Sequence, residues 1–383
     1  MKGVKSMKTK VLQIGCDNFG RGGRSVIIYN LTEYLADAYK IDFLATNSSF
    51  DKTYFDKLKE RDGEILVYQR KYKNKLFEEI RRFFKISRMI KVGQFNVVHI
   101  NADDAWEAYK SFIIAKFAGV KKVIVHAHTS KDSNSISFLK KIVLRYTMKR
   151  LQKKDVEKLA CTIEASSYMF GNSQDVTIIE NGIDLTKYIY SESTRTRVRE
   201  ELGIKSDTTL VYGTVGRISH QKNPLFILDL IHSLSLLNEE FIFVWVGSGD
   251  MQSIVLEKAK QLGIEKQIRF LGDRSDVHNI MQAFDVFILP SFYEGFGIVN
   301  VEAQASGLEC IVSDTIPEIV KVNSNFYFLP LSIGVDGWVN FITDQSHTRE
   351  RLKSFNSFSE KGFDISQSAE KLREVYRSII NGK

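Results

Sequence analysis

The chain has 383 residues, of which 43% are hydrophobic, 26% charged and 11% aromatic. That length suits two or three domains, each able to bury a core. Twenty-four Gly and only 4 Pro exclude collagen-like and low-complexity chains. Cys16, Cys161 and Cys310 share no metal-ligand spacing and cannot all pair, which suits buried thiols in a reducing cytosol. Met1–Lys10 is basic but leads into a short apolar stretch, unlike a signal peptide. No run approaches the ~18 apolar residues of a membrane span. A cytoplasmic protein is expected.

The formal net charge of +8 is unevenly spread. Residues 1–185 carry 33 Lys+Arg against 21 Asp+Glu, whereas the remainder carries 21 against 25. The whole basic excess therefore lies in the first half. One domain is expected to face an anionic surface or partner.

Short β-rich runs alternate with amphipathic helical patterns along the first half. Strands are predicted at Lys10–Gly15, Ile41–Thr46, Glu64–Gln69, Asn96–Asn101, Lys122–His128, Leu159–Ala165 and Val176–Glu180. Helices are predicted at Gly23–Ala38, Leu76–Lys91, Ala105–Ala118 and Ile136–Lys153. The second half repeats the alternation. Its strands are predicted at Thr208–Gly213, Phe241–Gly247, Ile268–Gly272, Asp285–Ser291 and Cys310–Asp314, with helices from Pro224, Met251, Val277 and Ile298. Such alternation reads as βαβ units around parallel sheets. The expected architecture is α/β: two doubly wound, Rossmann-like domains, residues 1–188 and 189–383. The polar stretch Ser191–Glu201 separates them, and a last helical segment (345–380) is a candidate to pack back on the first domain.

Open parallel sheets bind ligands beyond the carboxyl ends of their strands, so the following loops are where chemistry is sought. Gly216–Pro224 follows the first strand of the second half and carries Arg217 and Lys222 on a loop feeding a helix. Two cations beside a helix N-terminus suit a diphosphate, although solvated surface charges fit the loop equally well. Ser291–Ile298 contains Glu294, Gly295, Phe296 and Gly297. Its glycines admit close backbone approach, and its N–H groups lead into a helix start. Glu302 lies one further turn-pair along, in the nearly uncharged segment IVNVEAQASG, and could accept hydrogen bonds from a diol. Arg21-Gly22-Gly23-Arg24 follows the first strand and reads either as a ligand-approaching helix start or as a plain turn. His126 and His128 share one face of a strand, leaving open a substrate hydrogen bond, a structural role or a metal. His99, in NVVHIN, reads as a strand-end structural residue. No Asp-x-Asp, G-x-G-x-x-G, Walker A or G-x-S-x-G occurs.

In order, NGID (181–184), GRISHQKNP (216–224), LGDRSDV (271–277) and LPSFYEGFGIVNVEAQASG (289–307) resemble the retaining glycosyltransferase family 4. HINADD, VHAHTS, EAQASGLECIVSD and GRISHQKNP are most similar to bacterial capsular and exopolysaccharide members. The resemblance spans roughly residues 10–345. It implies the GT-B fold, with the two domains facing across a cleft, and transfer from a nucleotide sugar, a substrate rather than a cofactor. It implies no metal. Arg217 and Lys222 would then bind the diphosphate, Glu294 the donor sugar, and Glu302 the ribose. The N–H groups of Gly295–Ile298 would assist at the sugar and β-phosphate. Gly22 and Gly23 would approach the phosphates, His128 the transferred sugar, and Arg274 the base. No carboxylate of the first half is an evident nucleophile, so the resemblance implies same-face attack rather than double displacement.

Residues 70–91 hold nine Lys+Arg and two Glu, and 140–158 hold eight Lys+Arg and two acids. They read either as core-packed helices with solvated basic faces or as a face for anionic lipid at the inner side of the cell membrane. The family's usual acceptor, a polyprenyl-diphosphate-linked saccharide, fits the second reading. No nucleic-acid module accompanies the charge, so nucleic acid is not an expected partner. A nucleotide-sugar epimerase and a catalytically silent GT-B partner protein are the alternative functions.

Overall fold

The computed structural model describes residues 8–16, 23–46, 52–129, 138–153, 156–171, 174–237, 240–345, 351 and 355–382. The chain divides into two compact units, 1–182 with 364–383, and 183–363. The sequence reading put a single boundary at 188/189; here the chain crosses twice, at 182/183 and 363/364.

The first unit is built on seven parallel strands: β1 (Thr9–Ile14), β2 (Tyr39–Ala45), β3 (Ile65–Val67), β4 (Val97–Ala102), β5 (Lys122–Ala127), β6 (Glu157–Ala160) and β7 (Val176–Ile178). Their order is β3-β2-β1-β4-β5-β6-β7. The second unit has six: β8 (Leu210–Val215), β9 (Phe241–Val246), β10 (Ile268–Phe270), β11 (Val286–Leu289), β12 (Glu309–Ser313) and β13 (Phe326–Leu329). They run β10-β9-β8-β11-β12-β13, again all parallel. In each sheet the winding direction reverses once, between β1 and β4 and between β8 and β11. Helices cover both faces, and the strands are correspondingly apolar on both sides, as in Phe241–Val246 with five of six residues buried.

Two segments depart from the sequence reading. The run Leu159–Ala165 is not one strand: it ends at Ala160, and the Thr162 side chain caps the helix Ile163–Phe170 by accepting from Ala165 N. The stretch Ser191–Glu201 is no spacer but a helix, Glu192–Glu201, capped by Ser191. Arg195 and Arg199, four residues apart on one face, are buried there. Between them they bind the Asp285 carboxylate and the carbonyls of Gln282, Ala283 and Phe284. The strand β13 and the helices Lys52–Lys59 and Gly334–Asp344 are further elements not anticipated.

The last helix, Ile365–Asn381, belongs to the first unit. Ile365, Ala369, Leu372 and Tyr376 recur at helical spacing and are buried against Val11, Ile28, Tyr39, Val97 and Ile124. Arg373 adds an ion pair to Asp37, and Lys371 one to Glu180. Leu372 is fully buried, so Leu372→Ala is expected to cost about 2–5 kcal/mol. Hydrogen-exchange mass spectrometry should show faster exchange in Thr9–Ile14 and Val97–Ala102, with β8–β13 unchanged. Equal change in both sheets would refute this partition.

Candidate active site

In the second unit the sequence-selected loops emerge at the carboxyl ends of β8, β10 and β11, with β8 and β11 flanking the reversal point. Gly216 to Asn223 leaves β8 and enters the helix Pro224–Ser235, with Pro224 in its first turn. Arg217 is exposed at the strand end. Lys222 folds across the reversal: its Nζ lies 2.6 Å from Glu294 Oε1, with both side chains largely buried. Ser291 Oγ donates to the same carboxylate oxygen at 2.7 Å, and Gln221 Nε2 donates to Oε2 at 3.3 Å. Phe292 N donates to Gln221 O, and the Phe292 ring stacks on His220 at 4.8 Å. The two loops are thus joined by charge, amide and ring contacts.

Past Glu294 the chain turns through Gly295, exposed with open space around it, into the helix Ile298–Ala305. Gly297 caps this helix at φ +72, and a Cβ there would stand 2.7 Å from Asn300 Nδ2. Both the left-handed backbone and the close approach call for glycine. Phe296 is half-buried against Phe363. Ile298 opens the helix, and the buried Asn300 side chain donates to Gly297 O, which pins the turn. Asn300 Oδ1 is buried without a hydrogen-bond partner. Glu302, one turn on, receives a hydrogen bond from Tyr188; burial raises its carboxyl above the ordinary range and that bond opposes the rise. Arg274 follows β10 in a bidentate pair with Asp276 at 2.7 Å, which raises the guanidinium and holds the Asp276 carboxyl low.

The first unit gathers its own polar cluster at the β1/β4 reversal. Gly15, at φ +88, brings its Cα so close that a Cβ would meet Asn101 O at 1.9 Å. Asn101 Nδ2 donates to Ile14 O and Gln13 Oε1, and its Oδ1 lies 2.9 Å from His128 Nε2. Gln13 Nε2 donates to Tyr376 OH; Tyr376 OH lies 2.8 Å from His99 Nδ1, and His99 Nε2 lies 3.3 Å from His126 Nδ1. His99, read as a strand-end residue, is in the body of β4. Gly23 starts the helix Gly23–Glu33, whose Arg24 pairs with Asp103 at 2.9 Å. Gly22 lies outside the described residues. Among the described residues no group of three His, Cys, Asp or Glu is arranged to hold a metal ion.

Sequence reasoning found the loops and their charged residues but not Ser291, Gln221, Asn300 and Tyr188 around them. It also missed Gln13, Asn101 and Tyr376. The signal for Gln13 and Asn101 was available: each is polar at an inward position of an otherwise apolar strand, VLQIG and VVHIN.

Residues 194–371 match the family Glycosyl transferases group 1. The chain is 27% identical over 382 residues to EpsF of Bacillus subtilis (strain 168), a protein named as a glycosyltransferase, with 97% of each chain covered. It is 26% identical over 323 residues, 80% of this chain and 82% of the other, to the UDP-Gal:alpha-D-GlcNAc-diphosphoundecaprenol alpha-1,3-galactosyltransferase of Escherichia coli. Its fold matches Anabaena HepE, crystallised with UDP and glucose, at a TM-score of 0.77 over 97% of this chain and 100% of the other, with 18% identity. Residues 194–371 thus match the group 1 glycosyltransferases, and the two α/β units are those of the GT-B fold.

Desolvation lowers all three clustered imidazoles, His126 to about 3; His99 and His128 are pushed down further by neighbouring positive charge. An unfolded histidine takes its proton near 6.5, whereas native His126 refuses it until far lower pH. Stability is thus full above pH 6.5 and falls on acidification, by on the order of 2 kcal/mol at pH 5 for this one group. Urea unfolding of wild type and His126→Gln at pH 7 and pH 5 should show a smaller pH-dependent loss in the variant. Identical losses would show that His126 is not protonation-linked to folding.

Proposed function

We propose that the chain is a retaining glycosyltransferase moving a hexose or N-acetylhexosamine from a UDP-sugar to a polyprenyl-diphosphate-linked saccharide, in capsule or exopolysaccharide synthesis. The observation that carries this reading is the buried Lys222–Glu294 pair at the β8/β11 reversal, flanked by Arg217 and the helix start at Gly297. Arg217 and Lys222 take the diphosphate together with N–H groups of Gly295–Ile298, and no metal is assigned to the charge. As the anomeric bond breaks, negative charge grows on the departing diphosphate. Fixed cations and N–H dipoles stabilise that charge without reorganising. Glu294 holds donor-sugar hydroxyls, Glu302 the ribose, His128 a hydroxyl of the transferred sugar, and Gly22 and Gly23 the approach to the phosphates. Arg274 is assigned to the base. The acceptor attacks from the face the nucleotide leaves, its proton passing to the leaving phosphate. The name of the Escherichia coli relative, which specifies a UDP-sugar and an undecaprenyl-diphosphate acceptor, supports both substrate classes.

Calorimetric titration with UDP-galactose and UDP-glucose, alongside turnover, tests the assignment. Glu302→Ala removes hydrogen bonds to a charged group, worth about 1.5–3 kcal/mol, and should weaken donor binding about tenfold or more. Lys222→Ala should instead lower turnover, by about 10²–10³, the range for a lost transition-state donor. Wild-type binding and turnover in both variants would sink the site.

The acceptor lipid implies a cytoplasmic enzyme working at the inner face of the membrane. Among the described residues no helix is long and apolar enough to cross a bilayer. The helix Lys75–Gly93, however, is not the simple core-packed element that one reading of its pattern gave. Leu76, Phe77, Ile80 and Phe84 are 48–69% exposed, and of the apolar residues in its later turns only Ile86 and Ile90 are fully covered. Phe84 and the exposed Phe117 lie edge to face, 6.0 Å apart. Apolar side chains beside Lys75, Lys85, Arg88 and Lys91 suit an anionic bilayer surface. Vesicles of phosphatidylglycerol and phosphatidylcholine should float the protein in a salt-sensitive manner, and Phe77→Asp with Phe84→Asp should abolish flotation. No flotation, or flotation indifferent to the pair, would overturn the membrane assignment.

A further inference from the structure

The helix Ile298–Ala305 starts without the side-chain devices that ordinarily occupy the first N–H groups of a helix. Its N-cap is Gly297, which has no side chain to accept from them. In a capping box the third helical residue reaches back and accepts from the N-cap N–H. The third residue here is Asn300, and its side chain does the reverse, donating to Gly297 O at 2.9 Å. Chemistry fixes that direction: a carbonyl oxygen can only accept, so the amide must present its nitrogen. Asn300 N donates to the same oxygen, also at 2.9 Å. Gly297 O is thus held from inside the helix by two N–H groups of one residue.

A trans peptide is planar, and its C=O and N–H point in opposite directions. Holding Gly297 O toward Asn300 therefore turns the far end of the same peptide, the Ile298 N–H, out of the helix. That N–H is one of the first four in the helix, which have no intrahelical acceptor.

Asn300 is poorly suited to be a packing residue. It is fully buried, between Val299 and Val301 of the apolar core, and its Oδ1 has no hydrogen-bond partner among the described residues. A buried amide left half paired costs stability, and a β-branched apolar side chain would avoid that cost. Gln304, one turn on and equally buried, gives the contrast. Its side chain donates to Asn300 O and Val320 O and accepts from Val322 N and Asn323 N, so the fold satisfies both of its ends. Asn300 commits one end to Gly297 and leaves the other without a partner.

Building on the glycosyltransferase reading, we infer that Asn300 is a positioning residue for the donor diphosphate. By gripping Gly297 O it aims the Ile298 N–H at the β-phosphate. Because it takes the carbonyl, it also leaves to the ligand the Gly297 N–H that a capping box would occupy. The dipole is oriented before the nucleotide arrives, so charge that develops on the leaving diphosphate meets a donor already in place.

Two isosteric variants of the full chain test this. Asn300→Val removes the side-chain donor, whereas Asn300→Thr keeps that shape and adds a hydroxyl able to bond the carbonyl three residues back. Binding is measured by calorimetry with UDP and with UMP, which lacks the β-phosphate, alongside thermal unfolding. In Asn300→Val the affinity for UDP should fall about tenfold and that for UMP stay unchanged, with an unfolding midpoint equal to or above that of wild type. Asn300→Thr should hold UDP within about threefold of wild type. Equal losses for UDP and UMP, a lowered midpoint with UDP binding intact, or a Val variant that does not fold would make Asn300 a structural residue and overturn the inference. A Thr variant as weak as the Val variant would overturn it too, since the bond to Gly297 O would then not be the cause. Wild-type UDP binding with an unaffected Val variant removes the role of Asn300 and leaves the donor reading standing. If wild type binds neither nucleotide, the UDP-donor reading falls and the inference with it.

Discussion

Lys222 and Glu294 stand 2.6 Å apart at the one place in the second sheet where the winding reverses. Neighbouring loops there leave in opposite directions, and beyond one backbone hydrogen bond, Phe292 N to Gln221 O, the strand ladder does not hold them together. A charge pair, reinforced by Ser291 and Gln221, does that work and leaves both loops tied at one point. The same constraint recurs in the first sheet. There Asn101 on β4 reaches back to Ile14 and Gln13 on β1 across the corresponding reversal. Two different chemistries, ionic and amide, thus solve one topological problem. Each also leaves polar atoms presented at the edge where an open parallel sheet binds its ligands.

The two solutions respond to a ligand differently. In the second unit the ammonium and carboxylate neutralise each other, so an incoming anion competes with Glu294 for Lys222 and frees carboxylate oxygens for hydroxyls. On the assignment proposed above, recognition of the diphosphate and of the sugar would then be coupled through one ion pair. In the first unit the cluster of Gln13, Asn101, Tyr376 and the three histidines leaves only His126 Nε2 and His128 Nδ1 among its buried side-chain atoms without a hydrogen-bond partner, so it has no slack. It presents a fixed pattern rather than an adaptable one.

The fold was largely legible because hydrophobic period and loop signals agree along most of the chain. Phe241–Val246 and Val286–Leu289 read as buried strands and are. The charged loops were legible for a related reason: Arg217, Lys222 and Glu294 sit in segments where charge has no packing role. What failed was the converse inference, that charge means solvent. Arg195 and Arg199 looked like a hydrophilic spacer, yet their guanidiniums are buried, because carbonyls at the end of a short helix and Asp285 offer partners in three dimensions that no local pattern displays. Leu76, Phe77, Ile80 and Phe84 mark a second limit, since helical spacing places them on one face but does not say what covers it.

Tyr376 illustrates the limit most sharply. Its hydroxyl lies 2.8 Å from His99, 277 residues earlier, and it is the link that carries hydrogen-bond direction from Gln13 to His126. The crossing segments explain how the chain's end comes to serve its beginning. Ile183 N bonds to Phe363 O on one side of the double crossing, and on the other a Cβ on Gly182 would stand 2.5 Å from Ile365 N. Outgoing and returning backbones therefore run side by side, and the returning one is delivered directly to the sheet it left. A helix placed this way is more than a cover for Val11 and Ile124. Were it only a cover, an apolar residue would serve at position 376 as it does at 372. A tyrosine with its hydroxyl fully buried is tolerable because that hydroxyl both accepts and donates, and the two bonds it makes orient everything beyond it.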